Sequence, residues 1–212
     1  ILGDHTNVNI APMGEPSPFI YKTIDDKPSD QDILDTLTSL SGRVTSEDKL
    51  MLPEGQSVRA FMAESSRQSF QQEDGNDYSK YCDAEMLDAL VFNVFPNFSP
   101  WGGFPPNVVY RWRPNGWDVD STIMEVMMLK RNPANGEALP VADIHWLDEN
   151  EDWASADEVG ALGPIFDQDM SNLSYVQKGM KASHKKKVSL ANYQEVRVRH
   201  FHQIMDRYLF EE

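Results

Sequence analysis

Asp169 stands where the sequence otherwise writes an apolar residue. Leu162, Ile165, Phe166, Leu173, Val176 and Met180 recur at steps of three and four, the spacing that stacks side chains on one helix face, and position 169 falls on the same line. A continuous helix therefore turns the Asp169 carboxylate toward whatever the stripe covers. An isolated buried carboxylate costs several kcal/mol, so it needs a partner. Three partners suit it: backbone N–H groups if Asp169 is the N-cap of the helix, a guanidinium such as Arg197 or Arg199, or a metal cation. Caps and ion pairs are the commoner outcome. A metal-ligating carboxylate is the one that does chemistry.

The other candidate ligands are histidines. "HFH" puts His200 and His202 two apart. On a strand the rings share a face and grip one metal; on a helix they diverge by about 200°. The surrounding periodicity is helical, so they are not expected to act as a pair. His145 lies in an expected strand and stays open between a core and a substrate-facing role. His5, His184 and the "HKKK" run read as surface. Trp101, Trp112, Trp117, Trp146 and Trp153 read as core and sheet-face packing or, more sharply, as walls of an apolar pocket. Cys82 reads as an inert, partly buried thiol. The sequence has no GxSxG, no P-loop and no GxGxxG, which removes serine-hydrolase and nucleotide-binding readings.

The totals narrow the classes further. The chain has 212 residues, room for one domain with a real core. With 19 basic against 34 acidic residues its formal charge is −15, which disfavours nucleic acid and anionic membrane as partners. No apolar run is long enough to span a bilayer. One cysteine excludes an intrachain disulfide, a cysteine-ligated cluster and a cysteine-ligated structural zinc, and it suits a reducing, cytoplasmic setting. The chain starts at Ile1 in the middle of a strand-like phrase, so a piece of a longer polypeptide is expected.

These residues need elements to hold them. "VNI" and "FIYKTI" within 1–24 read as strands. "KPSDQDILDTLTSLSG" reads as a helix capped by Ser29, striped by Ile33, Leu34, Leu37 and Leu40, and ended by Gly42. Residues 53–72 read as a second helix, with Val58, Phe61, Met62, Ser65 and Ser69 along one side. "QQEDGNDYSK" is an expected surface loop, and "CDAEMLDA" a short helix or turn. Residues 90–97, 108–114 and 121–131 read as strands, the last two joined around Asn-Gly as an antiparallel hairpin. "WGGFPP" reads as a rigid turn, 142–148 as an edge strand and "ENEDWASADEVG" as a loop. Two helices close the chain, the Asp169 helix and one over 190–210 with Val198, Phe201, Met205 and Tyr208 on a face and Ile204 beside them. Strands and helices followed by an antiparallel sheet and packed helices make an α+β pattern. Neither a repeat nor a linker divides it.

Four segments, "LVFNVFPN", "YRWRPNG", "FDQDMSNLSYVQKGMKAS" and "YQEVRVRHFHQIMDRYL", resemble in this order the C-terminal catalytic region of the Rieske non-haem iron aromatic-ring-hydroxylating oxygenases, large (α) subunit. The resemblance covers most of 88–210. "GDHTNVNIAP" is similar to the strand that follows the family's iron-binding histidines.

The resemblance implies a helix-grip (START-like) fold, a curved antiparallel sheet packed on a long C-terminal helix with the substrate cavity between them. It implies that Asp169 is the carboxylate ligand of a mononuclear Fe(II), in a D-x-x-N stretch with Asn172 as an orienting neighbour and Gln177 and Gly179 as the following Q-x-G. Leu162, Ile165 and Phe166 would border the substrate. The reaction implied is O₂-dependent hydroxylation, often cis-dihydroxylation, of an aromatic or related hydrophobic compound. Electrons would come from NAD(P)H through a reductase and a ferredoxin to a [2Fe–2S] cluster, in a homotrimer or α3β3 parent. Neither the H-x4-H ligand pair nor the cluster's Cys and His residues occur in this chain. Residues 1–212 are therefore expected to be a partial catalytic domain, inactive alone. Two other readings share the pattern: a metal-free helix-grip module for a hydrophobic ligand, and a structural subunit that oligomerises with an active partner.

Overall fold

A computed structural model describes residues 1–3, 5–13, 28–40, 50–105 and 107–211. The expected strand "FIYKTI" and the helix-ending Gly42 lie outside the described residues. The element order is β1 (Thr6–Ala11), α1 (Asp30–Leu40), α2 (Val58–Asp74), α3 (Asp83–Leu87), β2 (Ala89–Val94), β3 (Phe98–Gly102), β4 (Val108–Asn115), β5 (Asp118–Met128), two 3-10 turns (Trp153–Ser155 and Asp157–Leu162), α4 (Gly163–Ala182) and α5 (Val196–Phe210). The architecture is α+β, as expected. Among the described residues, no helix is long and apolar enough to cross a membrane.

The five strands form one antiparallel sheet in sequence order, β1-β2-β3-β4-β5. Strand β3 replaces the expected "WGGFPP" turn at its first residues. "FSPWG" is short and carries Pro100 and Gly102, which local propensity reads as a breaker. Pairing with β2 on one side and β4 on the other holds it extended. The β4–β5 hairpin turns at Asn115-Gly116, where Gly116 takes φ 61, the left-handed conformation this turn asks of glycine. Residues 142–148 are irregular, not a strand. The acidic stretch before α4 folds partly into the 3-10 turns.

Helix α1 matches its reading at the Ser29 cap and at Ile33 and Leu34, while the side chain of Leu40 lies outside what is described. The Ser29 hydroxyl accepts from the Asp32 N–H at 3.2 Å, and Ile33 and Leu34 are buried. Helix α2 starts later than expected, capped by Ser57, and ends at Gly75 with φ 77. Its buried face is Val58, Ala63, Ser66, Phe70 and Asp74, so Ser65 and Ser69 face solvent. The reason is that α2 serves two neighbours. Its first turns pack with Ile33 and Leu34 of α1, and its later turns with Tyr78, Met86 and Leu87 around α3.

The end of α2 closes on itself. Asp74 is buried and accepts hydrogen bonds from the Tyr78 hydroxyl at 2.5 Å, the Asn76 N–H at 2.9 Å and Arg131 Nε at 2.9 Å. The Arg131 guanidinium also sits 3.9 Å over the Phe70 ring and pairs with Glu73. Burial pushes the Asp74 carboxyl up, but the bonds from Tyr78, Asn76 and Arg131 outweigh it and hold it below the usual aspartate value. A second tie joins α2 to the sheet. Arg59 binds Asp88 through two nitrogens, both at 2.8 Å, and donates to the Met13 carbonyl at 2.6 Å.

Pleating sorts the sheet. Cross-strand partners share a face, so Asn7, Asn93, Ser99, Tyr110 and Val126 line one side. Both closing helices lie on that side. The 3-10 turns and the start of α4 cover Tyr110, Val126 and Met128 with Ala156, Val159 and Phe166. Helix α5 covers the other end, where Ile204 is buried and Phe201 and Tyr208 meet Phe95 at 5.4 and 5.3 Å between ring centroids.

Candidate functional site

The start of α4 is held by close packing and by one carboxylate. Gly163 sits so near the first 3-10 turn that a Cβ there would lie 2.8 Å from the Ala154 Cα. Asp167 accepts from the Trp153 N–H at 2.6 Å and the Ala154 N–H at 3.2 Å, capping that turn from the helix side. Phe166 is buried with its ring edge-on to Tyr110 at 5.9 Å and to Trp153 at 5.3 Å. These contacts set the rotation of α4 about its axis.

Asp169 follows Phe166 by three residues and so rises on the same side of the helix. The α4 N-cap position is Leu162, which places Asp169 inside the helix and removes the capping alternative. Among the described residues no hydrogen bond or ion pair engages the Asp169 carboxylate, from Arg197, Arg199 or any other group. Arg199 instead donates to the Ala191 and Asn192 carbonyls. Asp169 is exposed, yet its charge reaches Tyr110. Burial first, and then the Asp169 carboxylate, push the Tyr110 hydroxyl above the usual tyrosine value. The site centres on that pair: an unengaged carboxylate whose charge is felt by a half-buried phenol in an aromatic cluster, with Trp101 and Trp112 also against the Tyr110 ring.

The stripe that carried Asp169 does not face a core along its length. Gly163 and Phe166 are the buried residues of α4, whereas Ile165, Leu173, Val176 and Met180 are about half exposed or more. The last three turns bury no residue among the described ones, and Val176 and Met180 border an open groove with Lys186, Lys187 and Val188. Two polar ties hold them to the sheet, because Gln177 and Lys181 both bind the Asp120 carboxylate, Gln177 at 2.6 Å. Asn172 and Gly179 are exposed. Leu162 and Phe166 belong to the packed cluster, and Ile165 points outward.

The histidines fall as their periodicity requires. His200 and His202 lie on helix α5, one buried and one exposed. His145 is exposed in the irregular segment, 2.9 Å from Glu158 through Nδ1. His184 is exposed. His5 is exposed too, but its ring meets Tyr208 at 5.7 Å. Trp117 and Trp146 are exposed, against the packing expected of them, and Cys82 is exposed. All five histidines are described, and among the described residues no group of three His, Cys, Asp or Glu side chains could hold a metal ion. A facial triad takes two histidines and a carboxylate. The residues present offer the carboxylate alone and do not make an iron centre by themselves.

A cavity of about 300 Å³ opens further along the same sheet face, between α5 and the ends of β1, β2 and β4. Asn7, Asn93 and Trp112 line it from the sheet, His200, Phe201 and Ile204 from the helix. Trp112 links the two places, since its ring lies 5.8 Å from Tyr110. The sequence reading missed Tyr110, Asn7 and Asn93. They look like ordinary strand residues, and only the register of five strands gathers them. Alternation within β4 is the one signal that groups Tyr110 with Trp112.

A family model described as the ring hydroxylating alpha subunit (catalytic domain) matches residues 30–211. No curated protein and no solved structure matches the chain.

Proposed function

The chain belongs to the ring-hydroxylating alpha-subunit catalytic-domain family, and from that premise we propose that residues 1–212 form part of the catalytic domain of a Rieske-type oxygenase. The family brings with it non-haem iron, O₂, an aromatic substrate and electron-transfer partners. The finer reading is O₂-dependent hydroxylation at a mononuclear Fe(II), in a helix-grip domain whose sheet faces α5. Asp169 is its carboxylate ligand and Asn172 the neighbour that orients it. The two histidine ligands and the [2Fe–2S] cluster belong to other parts of the parent polypeptide. A reductase using NAD(P)H, a ferredoxin, a trimeric assembly and a cytoplasmic setting complete the proposal.

One observation carries the assignment of Asp169. A carboxylate inside a helix, one turn beyond a firmly packed phenylalanine, has neither a cap nor a cation to engage it among the described residues. Asp167 and Asp74 are committed to structural partners in this chain, whereas the exposed Asp169 shares its unengaged state with other surface aspartates such as Asp143 and Asp206. Asp169 is held in place by its helix and left free to bind.

The test is the iron content of the intact parent, measured with and without Asp169→Ala. Loss of about one iron per subunit, with the cluster absorbance and the helical circular dichroism retained, supports the oxygenase. Mononuclear iron unchanged in the variant removes Asp169 from the site. A second reading draws on the cavity under α5: a module that takes a hydrophobic ligand without a metal. Parent protein that carries no mononuclear iron yet binds an aromatic ligand selects it.

A further inference from the structure

We propose that the groove between the C-terminal half of α4 and the lysine-rich loop after it docks an acidic segment of another protein, with carboxylates on the lysines and an apolar side chain seated between them. The "HKKK" run is one part of this surface. From Met170 to Gln194 the sequence holds five lysines, Lys178, Lys181, Lys185, Lys186 and Lys187, and not one Asp or Glu. The rest of the chain holds all 34 acidic residues and, with 19 basic in total less these five, 14 basic ones. The surface is therefore a cationic island on an anionic protein. Of the five lysines, Lys181 alone pairs with a carboxylate among the described residues, that of Asp120.

The loop is folded back onto its helix. Lys186 takes φ 51, the left-handed conformation that disfavours a side chain. Its N–H donates to the Ser183 carbonyl at 3.3 Å and its Nζ to the Lys181 carbonyl at 2.8 Å. The result is an open groove of about 620 Å³, lined by Lys181, Lys186 and Lys187 and by Val176, Met180 and Val188. Those three apolar side chains are about half exposed or more. Charge selects the occupant. A basic segment finds no free carboxylate here. Nucleic acid and an anionic membrane have the right sign, but both are extended polyanions, and the acidic remainder of the chain repels them. A short acidic segment stays within reach of the lysines alone, since screening confines each charge to about 8 Å at physiological salt. Its apolar residue also covers Val176 and Met180, which a phosphate backbone does not.

The inference goes beyond the oxygenase reading, and its test needs no iron, so the two fail separately. The full chain is titrated by fluorescence anisotropy, at about 0.15 M salt, with a labelled peptide in which leucines alternate with pairs of glutamates. Two control peptides carry glutamine for every glutamate or serine for every leucine. The expected result is that the acidic, apolar peptide binds about tenfold more tightly than either control. Lys187→Glu, at an exposed position, weakens it about fivefold by turning one attraction into a repulsion. Met180→Ser weakens it about threefold through lost apolar burial. Phosphatidylserine vesicles and oligothymidylate are expected not to bind at that salt. The comparison of the three peptides on the wild-type chain decides the matter even if a variant does not fold. No binding, equal affinity for either control, or tighter binding of vesicles or oligothymidylate would overturn the proposal. So would undiminished peptide binding in folded Lys187→Glu.

Discussion

The corner where α2 meets Arg131 and the face covered by α4 and α5 treat buried and charged groups in opposite ways. At the corner, Asp74 has three donors, Arg131 has two carboxylates and an aromatic ring, and Phe70 is closed over by Tyr78. At the helical face, Asp169 has no bonded partner among the described residues, His200 Nε2 has none, and Leu173, Val176 and Met180 meet solvent. Both regions place polar side chains against aromatic ones. The corner completes its own bonds and so serves the fold. The helical face holds its groups in position and leaves them incomplete, which is the condition for binding something else.

Truncating the residue that anchors the open face has the largest effect. Phe166→Ala empties a buried site that positions α4 and is expected to cost about 4 kcal/mol, read from the urea unfolding midpoint. A cost below about 1 kcal/mol would mean that α4 is not held as described. Breaking the closed corner comes next. Arg131→Met leaves Asp74 buried without its cation, at an expected cost of about 3 kcal/mol. Asp169→Asn, measured alongside, is expected to change stability by less than about 0.5 kcal/mol, because it removes no partner. Equal losses in the two variants would erase the contrast between the regions.

Acid sharpens the same contrast. The folded-state value of Asp74 lies below that of an unfolded aspartate, about 3.9, so the native state binds fewer protons in that range. Its stabilisation is complete above the unfolded value and is lost as pH falls through the lower folded one. Urea midpoints are therefore expected to drop between pH 5 and pH 2, in ranges estimated from that reference value, and to drop less in Asp74→Asn. A variant with the wild-type slope would assign the acid sensitivity elsewhere. The smallest effect is at Tyr110. Burial is the larger cause of its raised value and the Asp169 charge the smaller, so Asp169→Asn lowers its titration midpoint only modestly. Ultraviolet difference titration reads it, and no change at all would separate the two side chains.

Some of this was legible from residues alone because it depends on neighbours in sequence. Ser29 capping α1, the Asn-Gly hairpin and the helical divergence of His200 from His202 all follow from spacing over a few positions, and the structure has all three. The rotation of α2 was not legible, since Phe70 and Ala63 turn inward only because α3 is there to meet them. Strand β3 was not legible either, because its Pro and Gly speak for a turn and only two flanking strands overrule them. At the candidate site, the periodic stripe drew attention to Asp169 for a reason the structure changes. The line of residues is real, but its last three turns have no core beneath them.

The sequence by itself determined which residue stood out and which helix carried it, because helical periodicity is a property of one segment and needs no partner to be read. It also determined the family, through four ordered segments whose likeness survives without coordinates. Only the tertiary structure decided that the Asp169 charge reaches Tyr110, that Asp167 is spent on capping a turn, and that His200 lines a cavity with Asn7 and Asn93. Those facts join residues as much as 193 positions apart, the span from Asn7 to His200. No local pattern encodes such a meeting, since it follows from the register of five strands and the placement of a helix across them.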